Sequence, residues 1–176
     1  MDDDQRDRKL WAAAEEGAEL MSEGEYTAAI AELTRVVAED EENHYALFFL
    51  GSSLLEVGEA ARALKAFVSA LQLEPEYPGA LIGAGWALHT LGRYREGLRV
   101  GKQVLSRKKD DPDALYLMGL CHYAMDDKAA ALGYLQRFVD TRPEIEVAME
   151  ADAIIQILRG QAIHAGDDDQ DDDEEN

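Results

Sequence analysis

The sequence predicts an all-α protein built from repeated helix–turn–helix units. Small residues recur every 34 positions in three parallel ladders: Gly17, Gly51, Gly85 and Gly119; Gly24, Gly58, Gly92 and Asp126; Ala29, Ala63, Gly97 and Ala131. A period of this length marks units that cannot bury an apolar face alone and must stack on their neighbours. The internal spacing is also fixed. The second ladder stands seven positions after the first, its members in "SEGEY", "EVGEA", "TLGRY" and "AMDDK". Gly, or Asp in the fourth case, tolerates the backbone that ends one helix and reverses the chain. Each repeat is then a helix, a tight turn and a second helix.

In chain order the elements begin with a polar N-terminal segment, residues 1–9, "MDDDQRDRK". Four repeats follow, over 10–43, 44–77, 78–111 and 112–145. Within each, the first helix runs to the turn residue, and the second starts a few residues before the third ladder. The next stretch, "EVAMEADAIIQILRG" at about 146–160, is amphipathic and predicts one more helix. Residues 164–176 form an acidic tail, read as a solvated, disordered segment.

The chain resembles the tetratricopeptide repeat family. The residues that carry the resemblance are the 34-residue period, the small residue at repeat position 8, the turn residue at 15, the small residue at 20, and Pro75 and Pro143 at 32. Leu47, Leu81 and Leu115 stand at position 4, and Leu50 and Met118 at position 7. Glu16 departs from the apolar residue at position 7, and Glu41 and Lys109 replace proline at 32. The resemblance covers about residues 10–160. It implies a right-handed superhelical array of four repeats over 10–163, with residues of about 146–160 as a C-terminal capping helix. It also implies a concave surface lined by the first helix of each repeat.

The stretch "HYALFFLG" is apolar on both sides of one helix. In the repeat register Ala46, Leu47 and Leu50 face inward, while positions 2, 5, 9 and 12 face the groove. Those positions hold Trp11, Ala14, Ala18 and Met21; Tyr45, Phe48, Ser52 and Leu55; Gly79, Ile82, Trp86 and His89; and Asp113, Tyr116, Leu120 and Tyr123. Both tryptophans fall in this set, and Asp113 is its one charged member, in a chain with 31% charged residues. Contiguous exposed apolar surface marks an interaction site, and aromatics are typical anchors. The candidate groove is therefore Trp11, Tyr45, Phe48, Phe49 at its edge, Ser52, Ile82, Trp86, His89, Tyr116, Leu120 and Tyr123. Self-packing of these rings, or a groove filled by a second copy of the chain, is the competing reading. No Lys, Arg or Asn occupies a groove position, which disfavours the carboxylate clamp of some family members and favours an apolar peptide or helix. Bacterial chaperones of type III secretion translocators in this family share the small size and acidity, without a motif to quote.

The chain carries a formal net charge of −20, a field that repels nucleic acid. Its one basic stretch is "GRYREGLRVGKQVLSRKK". There Arg95, Arg99 and Lys102 form a stripe at i, i+4 and i+7, expected on the convex side. A solvated helix face is the bland reading; the sharper one has the tail "DDDQDDDEEN" docked on the stripe. A calcium loop is not supported, since the Asp run lacks the loop glycine and the terminal Glu.

Enzyme chemistry finds little footing. "GAGW" at 83–86 lacks a third glycine and a preceding strand. The four histidines show no metal-ligand spacing, and His122 reads as a satisfied packing residue. Cys121 reads as a buried, inert thiol, and a lone cysteine excludes an internal disulfide. No apolar run is long enough to span a bilayer, and the N-terminus lacks a secretory signal, so cytoplasm is the expected location. The reading is a non-enzymatic interaction module (adaptor, scaffold or chaperone-like) without cofactor or metal.

Overall fold

A computed structural model describes residues 2–167. Within them lie nine helices: α1 (Asp3–Ser22), α2 (Tyr26–Glu39), α3 (His44–Glu56), α4 (Ala60–Leu73), α5 (Pro78–Thr90), α6 (Tyr94–Arg107), α7 (Pro112–Ala124), α8 (Lys128–Asp140) and α9 (Ile145–Asp167). The fold is an all-α helical repeat array. Two compact units divide the chain, residues 1–100 and 101–176, with α6 passing from the first into the second.

The predicted turns share one hydrogen-bond pattern. Gly24, Gly58 and Gly92 have φ of 81°, 80° and 71°, and Asp126 reaches 58°. In each turn the N–H after this residue donates five residues back, as in Glu25 to Leu20 (2.9 Å), Glu59 to Leu54 (2.8 Å), Arg93 to Leu88 (2.8 Å) and Asp127 to His122 (3.0 Å). The residue itself donates three back, so carbonyls orphaned at the helix end are satisfied. The following helix is capped where the chemistry allows. Asp127 accepts from the Ala130 N–H at 3.2 Å, and Asp111 from the Ala114 N–H at 3.1 Å. Asn43 is fully buried; it accepts from the Ala46 N–H and donates from Nδ2 to the Leu10 carbonyl at 2.8 Å, pinning α1 to the start of α3.

The first ladder explains the close helix pairs. A Cβ on Gly17 would come within 2.4 Å of the Leu33 side chain, one on Gly51 within 2.8 Å of the Phe67 ring, and one on Gly119 within 2.6 Å of Leu135. A large residue of the second helix is thus seated directly on the glycine of the first. In unit one, Leu47, Leu54, Ala63, Phe67, Ala80 and Ala84 form one core cluster, and Ala14, Ala29, Leu33, Ala46 and Phe49 another. In unit two, Leu117, Met118, Leu135 and Phe138 are buried, Met118 against Gly101 of α6 and Leu135 against Gly119 of α7, and α9 turns Ala151, Ile155 and Leu158 inward.

Two ends differ from the sequence reading. Residues 3–9, assigned to a polar segment, are the first turns of α1, started by Asp2, whose carboxylate accepts from the Asp4 N–H at 3.2 Å. Helix α9 extends to Asp167, past the expected 160 and into the first residues assigned to the tail. Residues 168–176, and with them the docking of the acidic tail on the basic stripe, lie outside the described residues.

Candidate functional site

Helices α1 and α3 of unit one, with Tyr77 just before α5, carry one connected set of aromatic contacts, and α5 carries a second. Trp11 is 44% exposed, and its indole meets Tyr45 edge-on at 5.2 Å and Phe49 at 5.7 Å. Tyr45 is half-buried, and its hydroxyl donates to the Asp7 carboxylate at 3.0 Å. Burial, then this carboxylate, raises its pKa. Phe48, also half-buried, packs on Phe49 at 5.0 Å, on Tyr77 at 5.0 Å and on Phe67 at 6.2 Å. Gly79 leaves the space for it, since a Cβ there would lie 2.8 Å from the Phe48 ring.

Further along the face, Trp86 is half-buried with its ring 5.9 Å from His89, and His89 lies 5.3 Å from Tyr94. Burial lowers the His89 pKa, which favours the neutral imidazole. Ile82 is half-buried on α5. The Ser52 hydroxyl donates to the Phe48 carbonyl of its own helix at 3.1 Å, so its polarity is turned back onto α3. Sequence reasoning missed Tyr77 and His44. Tyr77 stands just before α5, outside the helical register. It packs against His44, Tyr45 and Phe48, and burial pushes its phenol up to about 12. Its position immediately before Pro78 and Gly79 was the available signal.

Two of the named groove residues belong to the core instead. Phe49 and Tyr116 are each only 9% exposed. Phe49 is enclosed with Ala14 of α1 and Leu33 of α2. Tyr116 stacks on Phe138 of α8 at 4.6 Å, and burial raises its phenol, with Glu150 of α9 hydrogen-bonding to it. The helical period fixes the angle at which a side chain leaves its own helix; neighbouring helices decide what covers it. In unit two, Leu120 is half-buried and Tyr123 is 39% exposed.

Arg95, Arg99 and Lys102 are all exposed along α6. Glu96 tempers the stripe: it takes a two-pronged bond from Arg93 at 2.7 Å and lies 3.7 Å from Arg99. A separate open cleft of about 740 Å³ lies between α2 and α4, floored by Leu47, Leu50 and Leu54 of α3. Arg62, Lys65 and Glu41 stand at its rim. His122 is held by Asp127 at 3.0 Å and stacked on Tyr134 at 5.4 Å. Cys121 is buried, with its thiol pushed up to about 11. Among the described residues no cluster of His, Cys, Asp and Glu could hold a metal ion, and no helix is long and apolar enough to cross a membrane.

This geometry agrees with comparison to known proteins. The tetratricopeptide repeat models match residues 15–80, 50–112 and 113–144, and the chain belongs to the tetratricopeptide repeat family. Superkiller complex protein 3 of Homo sapiens is 30% identical over 125 residues, which is 71% of this chain and 8% of that protein. The chain therefore spans a small part of that relative's length. Among solved structures, YrrB, described as a TPR protein with an unusual peptide-binding site, superposes with a TM-score of 0.69 at 22% identity, over 78% of this chain and 71% of that one. The second TPR domain of human RPAP3, in complex with the HSP70 peptide SGPTIEEVD, gives 0.60 at 22% identity, over 65% and 97%.

Proposed function

We propose that the chain is a non-enzymatic protein-interaction module whose aromatic face takes an apolar helix or extended peptide of another protein. The observation that carries this reading is the placement of Trp11, Tyr45, Phe48, Ile82 and Trp86 on α1, α3 and α5, partly open in an otherwise strongly charged chain. Partly buried rings with one open side supply large contact area at small entropic cost. With Phe49 and Tyr116 enclosed, the binding set narrows to these five, with His89 as a neutral hydrogen-bonding partner. Leu120 and Tyr123 offer a smaller apolar area in unit two. RPAP3 holds an acidic HSP70 peptide; here no Lys, Arg or Asn stands at a groove position, which supports an apolar ligand instead. The net charge of −20 argues against nucleic acid.

Selection of displayed peptides on the full chain tests this. The reading expects apolar, aromatic-rich sequences whose binding drops about tenfold or more in a Trp11→Ala, Trp86→Ala variant. Selected acidic sequences, or sequences bound equally by the variant, would refute it. A dimer lost in the same variant would show that the face is filled by a second copy.

A further inference from the structure

The aromatic face borders a charged pocket. This open pocket, of about 540 Å³, lies between the start of α1, the start of α3 and the end of α4, all in unit one. Asp7, Glu42 and Glu74 line it, and Arg6 is the one base in its lining. Arg6 is paired with Glu42, so these two charges offset each other. Asp7 and Glu74 are left without a basic partner among the described residues.

Tyr45 joins the pocket to the face. Its hydroxyl donates to both oxygens of the Asp7 carboxylate, at 3.0 and 3.2 Å. Burial, then the Asp7 hydrogen bond and the charges of Asp7 and Glu74, raise the pKa of this phenol, so both carboxylates act on one ring. The pocket also holds a polar group with nothing to bond. His44 lines it and is only 8% exposed. Its ring lies 4.0 Å from that of Tyr45 and meets Tyr77 edge-on at 5.6 Å, yet it makes no hydrogen bond among the described residues. A buried imidazole normally has a hydrogen-bond partner. Among the described residues only the Ser53 hydroxyl is sealed from solvent without one, so the His44 nitrogens keep an opening, and the opening is this pocket. No cluster of the described residues could hold a metal ion, so the cation that suits the two free carboxylates is an organic one.

We propose that this pocket takes an arginine or lysine side chain of the peptide bound on the aromatic face, and that this base sets the direction and register of the peptide. The proposal rests on that face being the peptide site. The charged head lies between Asp7 and Glu74, the His44 imidazole accepts one of its N–H groups, and the Tyr45 ring packs along its stem. The net charge of −20 attracts any base at long range, whereas the pocket fixes which residue of the ligand must be basic.

Parallel selections of displayed random peptides, on the full chain and on an Asp7→Asn, Glu74→Gln variant, test this. The full chain should select apolar sequences with arginine or lysine at one fixed offset from the aromatic anchor, and the variant should select apolar sequences without that preference. A selected arginine peptide is then resynthesised with citrulline, which keeps the shape and removes the charge. By calorimetry the exchange should weaken binding about tenfold to the full chain and by less than about twofold to the variant. A Glu146→Gln, Asp152→Asn variant removes the same charge from α9 and should bind the arginine peptide as the full chain does, with circular dichroism confirming that both variants fold. Apolar peptides without a fixed base overturn the proposal and leave the aromatic face standing; absence of apolar peptides overturns both. A citrulline loss equal on the full chain and the pocket variant places the base elsewhere, and an equal weakening by the α9 variant assigns the effect to the overall field; either overturns the proposal.

Discussion

At the residue scale, the glycines divide by what surrounds them. Gly119 has Leu135 seated on it, whereas a Cβ on Gly133 of α8 would meet nothing within 4 Å. Gly119→Ala should destabilise the protein by about 1–3 kcal/mol through overpacking. Gly133→Ala should stabilise it by about 0.5–1 kcal/mol by removing backbone freedom from the unfolded chain. Urea midpoints of the two variants, moving in opposite directions, would bear out the packing; shifts of one sign would contradict it. His89 gives a pH dependence. Burial lowers its pKa in the fold, so the unfolded chain binds that proton more readily. The contribution is fully present above the unfolded value of about 6.5 and is lost as pH falls through the lower folded value. His89→Gln should therefore flatten the decline of thermal stability below about pH 6.5, and an unchanged profile would show that His89 does not carry it.

At the element scale, the turns were legible and the ends were not. A glycine every 34 residues announces a left-handed turn position directly, and the structure has φ of 71–81° at Gly24, Gly58 and Gly92. Asp126 fills the same position at 58°, a conformation that costs a non-glycine residue energy. Asp126→Gly should raise stability by about 0.5 kcal/mol, read from the urea midpoint; a fall would mean that the aspartate supports the turn by its side chain. The start of α1 was missed because apolar spacing begins only at Leu10, while the helix is started by the Asp2 cap two turns earlier. The burial of Phe49 and Tyr116 was missed for a different reason. Periodicity is a property of one helix, and their burial is set by α2, α8 and α9. Tyr77 escaped because it stands just before α5 and so outside the helical period from which groove positions are read.

At the scale of the whole molecule, two properties stand together: a net charge of −20 and an aromatic face almost free of charge. The first stresses the fold by self-repulsion. Raising ionic strength from about 10 mM to about 150 mM shortens the screening length from about 30 Å to about 8 Å. The melting temperature should rise by about 2–5 °C over that range. No rise would show that the acids are spaced too widely to repel. The second property gives the protein an optical reporter, since its two tryptophans, Trp11 and Trp86, both stand on the proposed binding face.

Tryptophan emission during titration of the full chain with a selected apolar peptide free of tryptophan is accordingly the decisive measurement. Covering Trp11, now 44% exposed, should shift the emission to shorter wavelength and saturate at the affinity found independently by calorimetry. Trp11→Phe should abolish most of the shift while leaving the affinity within about threefold, because one aromatic anchor replaces another. A peptide that binds by calorimetry without moving the emission of either tryptophan would contradict the assignment of the aromatic face.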